Sequence, residues 1–453
     1  LHSGQLKDGS VVSKRSYIPN LLVADERGRL YEHPFLKMMG FDGNAFVPIN
    51  AKDVIKLPPY SKLFYIPHSR PVGFDVKHGT MTVLEDFFIS GKMRIKPNAV
   101  SAFLSPGHVR LYLPAAVPLQ KRPILPLWAY CAVGVLDGAL VSAAFQVEYN
   151  TKWDPKNYDD KLLLGRIDTM KKRFFGNRLL EHLINCAVSN HCFAAKNLFL
   201  ERWEAPVPTS RACNASCLGC LSHQPEFPHL KSHERISFRP SVKEIVELCV
   251  HHLENAPEPI VSFGQGCEGE PLTEYLLVAE SIKRIRESTK KGIINLNTNG
   301  SYPERVRILC EAGLNSIRIS LNSARHYLYQ AYFKPRGYGI EEVVESLKIA
   351  KSYGLYTMIN YLIFPGVTDQ EEELVAIAKI IEETRVDFIH LKNLCIDPWV
   401  YLDAMPRAKE SKPMGLKNFY NILRKNFPQL SLGYFNQIPK QSFLDNQYIP
   451  SLG

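Results

Sequence analysis

The sequence predicts an α/β protein: an array of six βα units preceded by a β-rich region. Three observations predict it. From about residue 196, apolar runs of strand length alternate with amphipathic segments of helix length. Residues 1–195 instead carry short apolar segments cut by Pro and Gly, ending in one helical stretch. The chemistry-bearing residues gather just after the strand-like runs. Strands that alternate with helices pair in parallel, as a doubly wound sheet or an incomplete barrel, and both folds place ligands at the C-terminal strand ends.

In the first region the strand-like segments are "AFVPI", "KLFYIP", "RPVGFDV" and "HVRLYLP". The stretch "ILPLWAYCAVGVLDGALVSAAF" (124–145) is long enough to cross a membrane, but Asp137-Gly138 at its middle marks a hairpin between two buried strands. "NRLLEHLINCAVSNHC" (177–192) is helical, with Leu179, Leu180, Leu183, Ile184 and Ala187 on one face. The array then reads as strands at 197–203, 259–264, 292–297, 316–321, 356–363 and 386–394. Ser241 with Glu244 and Asp369 with Glu372 have capping-box spacing, Pro303 suits a first helical position, and Gly313 and Gly354 suit helix ends. The expected units are a β-rich domain over 1–195, the βα array over 196–400, and a cap or tail over 401–453.

Of 453 residues, 45% are hydrophobic and 22% charged, so the chain can bury a large core without a staple. Its 55 basic and 45 acidic residues leave a net charge of +10. Lys171-Lys172-Arg173 and the run from Lys283 to Lys291 read first as solvated helix faces, with an anionic partner such as RNA the alternative. Residues 1–20 lack the apolar core of a signal peptide, so a cytoplasmic protein with free thiols and no membrane partner is expected.

"RACNASCLGCLSH" (211–223) places three of the ten cysteines within eight residues. Cys213, Cys217 and Cys220 can converge on one centre. They could form a structural zinc site with His223, or hold a [4Fe–4S] cluster by three thiolates with one iron left open. A large α/β array needs no zinc staple, and an open iron at a strand end is a reactive centre.

CxxxCxxC after the first strand of a βα array resembles the radical S-adenosylmethionine (SAM) superfamily. The resemblance, which covers 197 to about 400, implies a partial (β/α)6 TIM-like barrel, a [4Fe–4S] cluster and SAM chelated to its open iron. An electron from the cluster then cleaves SAM to a 5′-deoxyadenosyl radical. A reducing partner such as flavodoxin or ferredoxin is implied as well. "FGQGCEGEPL" (263–272) resembles the Gly-Gly-Glu-Pro element that holds the SAM amino group, through Gly269, Glu270 and Pro271. "NTNG" (297–300), "SIRISLNS" (316–323), "NYLIFPGVTD" (360–369) and "LKNLCIDP" (391–398) resemble the later strand ends. They carry Ser320 and Asn322, expected on one side of their strand and near the SAM ribose and carboxylate, and Asn360 facing the cofactor. Two positions depart from the family pattern. Gly219 stands where an aromatic residue usually meets the adenine, and Glu268 stands where a second glycine is common.

For the reaction itself no catalytic residue is identified. Cys267 and Cys395 are placed to act as hydrogen donor, thiyl radical or extra ligand, with burial as inert thiols the simpler reading. Tyr361, Asn393 and Asp397 are candidates to line the barrel mouth, or ordinary structural residues. After residue 310 only Cys395 remains, which disfavours auxiliary clusters. Cobalamin stays open without a sequence signature, since "DVKHGT" (75–80) has the wrong spacing. The reading favoured is modification of a peptide or protein side chain, including C-methylation, with the N-terminal domain as substrate or cofactor platform. A small metabolite or cofactor precursor and RNA are the alternative substrates, and a zinc-stapled binding protein is the non-enzymatic alternative.

Overall fold

The computed structural model describes residues 18–89, 93–158, 160–406 and 412–437; most of the stretch read for a signal peptide lies outside them. Seven parallel strands in sequential order build the second half: β1 (Glu204–Val207), β2 (Ile260–Phe263), β3 (Ile293–Thr298), β4 (Ser316–Leu321), β5 (Tyr356–Ile363), β6 (Phe388–Asn393) and β7 (Ser431–Gly433). The helices between them include α4 (Val242–Asn255), α5 (Tyr275–Ser288), α6 (Pro303–Glu311), α7 (His326–Phe333), α8 (Ile340–Ser352) and α9 (Glu371–Thr384). Five of the six expected strands are present where they were read, the first lies further along the chain, and the stretch read as cap or tail adds β7 beside β6. Among the described residues no backbone pairing joins β1 to β7, so the sheet stays an open, partial barrel. A side-chain bond spans the gap: Asn436, just past β7, donates to Glu204 of β1 at 2.6 Å.

One strand moved. The run 197–203 is not strand: α3 (Phe193–Phe199) takes its first half, and β1 begins at Glu204. Ala195 through Phe199 are all buried, and an apolar run buried all round has no period to separate helix from strand. β1 itself contains Pro206, tolerated because β1 is the edge of the sheet.

Local signals elsewhere held where they rest on backbone chemistry. Ser241 and Glu244 form a reciprocal capping box, and Gly313 and Gly354 take positive φ just past their helices. Asp369 does not cap α9. Its carboxylate accepts from the Gly366 amide, which folds the loop after β5 back on itself, and Gln370 becomes the cap residue. Asp137 (φ 50°) and Gly138 (φ 73°) turn the hairpin between Cys131–Leu136 and Ala139–Ser142. Among the described residues no helix is long and apolar enough to cross a membrane.

The N-terminal region is an antiparallel sheet of 12 strands among the described residues, followed by α1 (Asp160–Arg173) and α2 (Arg178–Val188). One buried core runs from it into the barrel, taking in Val109, Leu125, Leu183 and Ile389.

Candidate functional site

The three loop cysteines hang from β1 on a backbone that helix α7 and the loop after it pin from one side. Ser216 N donates to Phe333 O and Leu218 N to Tyr332 O, both at 3.0 Å, while Arg336 N donates to Asn214 O at 2.8 Å. The Arg336 guanidinium also reaches Cys213 O, and Gln224 Nε2 bridges Leu218 O and Cys220 O at 2.9 Å each. The thiols are half-buried and unpaired. Burial pushes the Cys213 thiol up to about 11 and raises Cys217 further, so a cation must replace the lost water before either ionises. Arg235 contributes one such charge, donating to Cys220 Sγ at 3.6 Å.

The spacing of the thiols separates the two metal readings. A single zinc ion with arms of about 2.3 Å holds its sulfurs under about 4 Å apart. Among the described residues, Cys213, Cys217, Cys220 and His223 contain no trio of ligand atoms within 4.8 Å of one another. A cuboidal cluster attaches each thiolate to a different iron and needs that wider spread. The donor set therefore fits the cluster.

Two buried glutamates lock the loop after β2 to its neighbours. Glu268, the departure from the family glycine, accepts five hydrogen bonds: from Thr209 N, Thr209 Oγ1 and Ser210 N after β1, and from Gly264 N and Gln265 N after β2. It thereby holds the ends of two strands together beneath the cysteine loop. Glu270 Oε1 accepts from Thr298 Oγ1 (2.5 Å) and Leu272 N (3.0 Å), and its Oε2 from Asn299 N (2.8 Å). A carboxylate has about four acceptor sites, which leaves one free on Oε2. Burial pushes this carboxyl up to about 7 against those three donors. Gly269 is required by packing: its amide donates to Ser210 O at 2.7 Å, and a Cβ there would lie 2.0 Å from Ala212 O.

The structure brings Ser320 and Asn360 together. They are in register on β4 and β5, and Asn360 Nδ2 donates to Ser320 Oγ at 3.2 Å. Asn322 does not join them. It lies one residue past β4, where strand alternation has ended, and its amide donates to Leu328 O and the Tyr401 hydroxyl. Buried Asn297 Nδ2, Asn322 Oδ1 and Asn360 Oδ1 have no protein partner. Unsatisfied buried groups at three strand ends are what a polar ligand such as SAM would satisfy, so these residues also fit the implied cofactor.

Sequence reasoning missed the charges inside the barrel. Arg318 on β4 and Lys392 on β6 carry charge into the barrel, and burial lowers both, opposed by Glu204 near Arg318 and by Cys395 near Lys392. His390, between them in register with Asn360, has both ring nitrogens unpartnered and is held neutral by burial and by these two cations. Alternation on adjacent strands was the available signal.

Of the suggested mouth residues, three serve structure. Asn393 accepts from Arg110 N and donates to His108 O; Asp397 binds Arg122 (2.5 Å) and Leu125 N (2.9 Å). Together they fasten the N-terminal region to the end of β6. The Tyr361 hydroxyl donates to Glu373 on α9. Cys395 is half-buried near Arg110 and Lys392, and desolvation raises its thiol. Cys267 faces α2 and its Cys186. Between the N-terminal region and the cysteine loop lies a cavity of about 200 Å³ walled by Ile124, Leu125, Leu127, Cys217, Ile396 and Val400.

Residues 207–378 match the family model described as the radical SAM superfamily. A curated relative, the probable dual-specificity RNA methyltransferase RlmN of Exiguobacterium sibiricum, is 23% identical over 232 residues, 49% of this chain and 61% of the relative. The chain thus spans less than two thirds of that relative's length. Similar solved structures include the [FeFe]-hydrogenase maturase HydG (16% identity, TM-score 0.38, 64% of this chain and 69% of that one). Another is SuiB of Streptococcus suis bound to precursor peptide SuiA (13% identity, TM-score 0.37, 60% of this chain and 58% of that one).

Proposed function

The chain belongs to the radical SAM superfamily, and on that premise we propose that it modifies a side chain of a peptide or protein by hydrogen abstraction. When bound, a [4Fe–4S] cluster with SAM supplies one electron that splits SAM into methionine and a 5′-deoxyadenosyl radical. Cys213, Cys217 and Cys220 would hold the cluster. The free acceptor site on Glu270 would take an N–H of the SAM amino group, with the Gly269 backbone beside it. Ser320 and Asn360 would meet its ribose side, and Asn322 Oδ1 offers one further acceptor. Arg318 and Lys392 supply positive charge for a carboxylate, of SAM or of the substrate.

The observation that carries the substrate class is the cavity beside Cys217. At about 200 Å³ it is smaller than the ~300 Å³ and more that enclose a whole small ligand. Its mostly apolar wall, to which the N-terminal region contributes Ile124, Leu125 and Leu127, suits one inserted side chain of a larger chain. C-methylation is one outcome of such a radical. RNA is the second reading, favoured by the methyltransferase relative and the charge of +10. Against it, several members of the basic runs are engaged: Lys171 with Glu181, Arg284 with Glu280 and Glu287, Lys291 with Glu254.

The test is anaerobic reconstitution with iron and sulfide, reduction by flavodoxin or dithionite, and assay of 5′-deoxyadenosine. A brown protein with about four irons that cleaves SAM is expected. A colourless protein with no cleavage overturns the reading. Cleavage stimulated by transfer RNA and not by any peptide pool transfers the substrate to RNA.

A further inference from the structure

Apart from the cluster loop, one set of side chains has the geometry of a single-ion site. His182, Cys186 and Cys267 bring their ligand atoms within 4.8 Å of one another, the only such trio among the described residues. His182 and Cys186 lie one turn apart on α2, so they share a face, with Nε2 and Sγ 3.7 Å apart. Cys267 comes from the loop after β2, the one that carries Glu268 and Glu270. Its carbonyl accepts from Ile236 N at 2.8 Å, which fixes the loop where the thiol meets α2. Cys186 is 1% and Cys267 4% exposed, both thiols are free, and the half-buried His182 leaves a way in.

Two more donors stand around the trio. Cys192 donates its backbone N–H to Cys186 O at 3.0 Å, and its thiol interacts with both Cys186 and Cys267. His233 interacts with His182 and Cys186; its Nδ1 faces Ser232 Oγ at 2.9 Å, which leaves Nε2 for a ligand.

We propose that His182, Cys186 and Cys267 bind a tetrahedral zinc-class divalent ion, with the fourth ligand from Cys192 or His233. Sulfur and imidazole are zinc's structural ligands, and the fourth donor closes on the ion as it binds, since neither Cys192 nor His233 lies within 4.8 Å of all three ligand atoms. Binding releases one proton to solvent for each coordinating thiol, two with His233 as the fourth ligand and three with Cys192, and leaves the thiolates on the ion. The ion would staple α2 to the loop holding Glu268 and Glu270, fixing from behind the surface where SAM is proposed to bind. The site stands on residues separate from the cluster and does not rest on the proposed reaction.

The full chain, purified under nitrogen from zinc-supplemented cells, is assayed for zinc and iron. About one zinc per chain is expected, retained when Cys213, Cys217 and Cys220 are all replaced by Ala and iron is lost. Cys186→Ser and Cys267→Ser should lose zinc and keep iron. Cobalt(II) titration of the triple-alanine chain is the second measurement and needs no change at the trio. Thiolate-to-cobalt charge transfer with tetrahedral d–d bands is expected, weakened by Cys192→Ser or by His233→Ala, according to which one supplies the fourth ligand. A chain with neither zinc nor cobalt bands overturns the proposal, as does a Cys186–Cys267 disulfide found by mass mapping of the anaerobic protein.

Discussion

The Tyr332 hydroxyl stands 2.7 Å from the point a Cβ on Gly219 would occupy. The ring of α7 has therefore taken the space beside the third cysteine that an aromatic residue at 219 would fill. Tyr332 is 3% exposed and also hydrogen-bonds the cysteine loop through its carbonyl. Gly219 is the price of that approach, and Tyr332 puts an aromatic ring beside the cysteine loop.

Gly219→Ala should consequently destabilise the protein by about 1–3 kcal/mol through overpacking. In a Tyr332→Leu background the same change should cost much less, since the hydroxyl is gone. Denaturant unfolding of the four chains measures the coupling; additive effects would show that the two residues do not compete for this space.

Glu270→Gln should weaken SAM binding and also lower stability by about 1–3 kcal/mol, because an amide NH₂ would then face a Thr298, Leu272 or Asn299 donor. Equilibrium dialysis with SAM and thermal unfolding of the SAM-free protein read the two effects separately.

The carboxyl of Glu270, raised by burial to about 7, gives a pH signature. Its folded value lies above its unfolded one, so its contribution to stability is full below the model value of 4.5 and is lost as pH rises through about 7. SAM binding has the opposite sense: the N–H donors of its amino group prefer the carboxylate, so affinity should rise between about pH 6 and pH 8 with proton release. Calorimetry in buffers of different ionisation heat measures that proton, and Glu270→Gln should abolish it.

Asp397→Ala should cost about 3–5 kcal/mol, because it strands the Arg122 guanidinium and the Leu125 amide in a contact where Asp397 is 1% exposed. Limited proteolysis should then cut first in the segment around residues 119–128, while the barrel persists.

Arg318→Leu should raise stability and lower affinity for the anionic ligand. The cost of burying the guanidinium outweighs the attraction of Glu204, so its removal relieves a cost until a further carboxylate arrives. Unfolding midpoints with and without SAM decide it: a variant destabilised in both conditions would make Arg318 structural.

Much of the barrel was legible because its signals are local. Strand and helix periodicity, the Ser241–Glu244 box, the turn at Asp137-Gly138 and the glycines after α6 and α8 each act over a few residues, and each folded as read. The segment 197–203 failed for the same reason in reverse: its first residues are buried on all sides and carry no period, and only packing drew them into α3.

What the sequence determined by itself was the order of βα units and the loop on which three thiols sit, because spacing along a chain fixes what one loop can hold. Only the tertiary structure decided which partners those residues meet. Asn393 and Asp397 went to the N-terminal region, Glu268 became a five-bond clamp, and Cys267 turned to a helix lying more than seventy residues before it in the chain. Hydrogen bonds and metal-ligand distances are set through space, and separation along the chain places no limit on them once the core has closed.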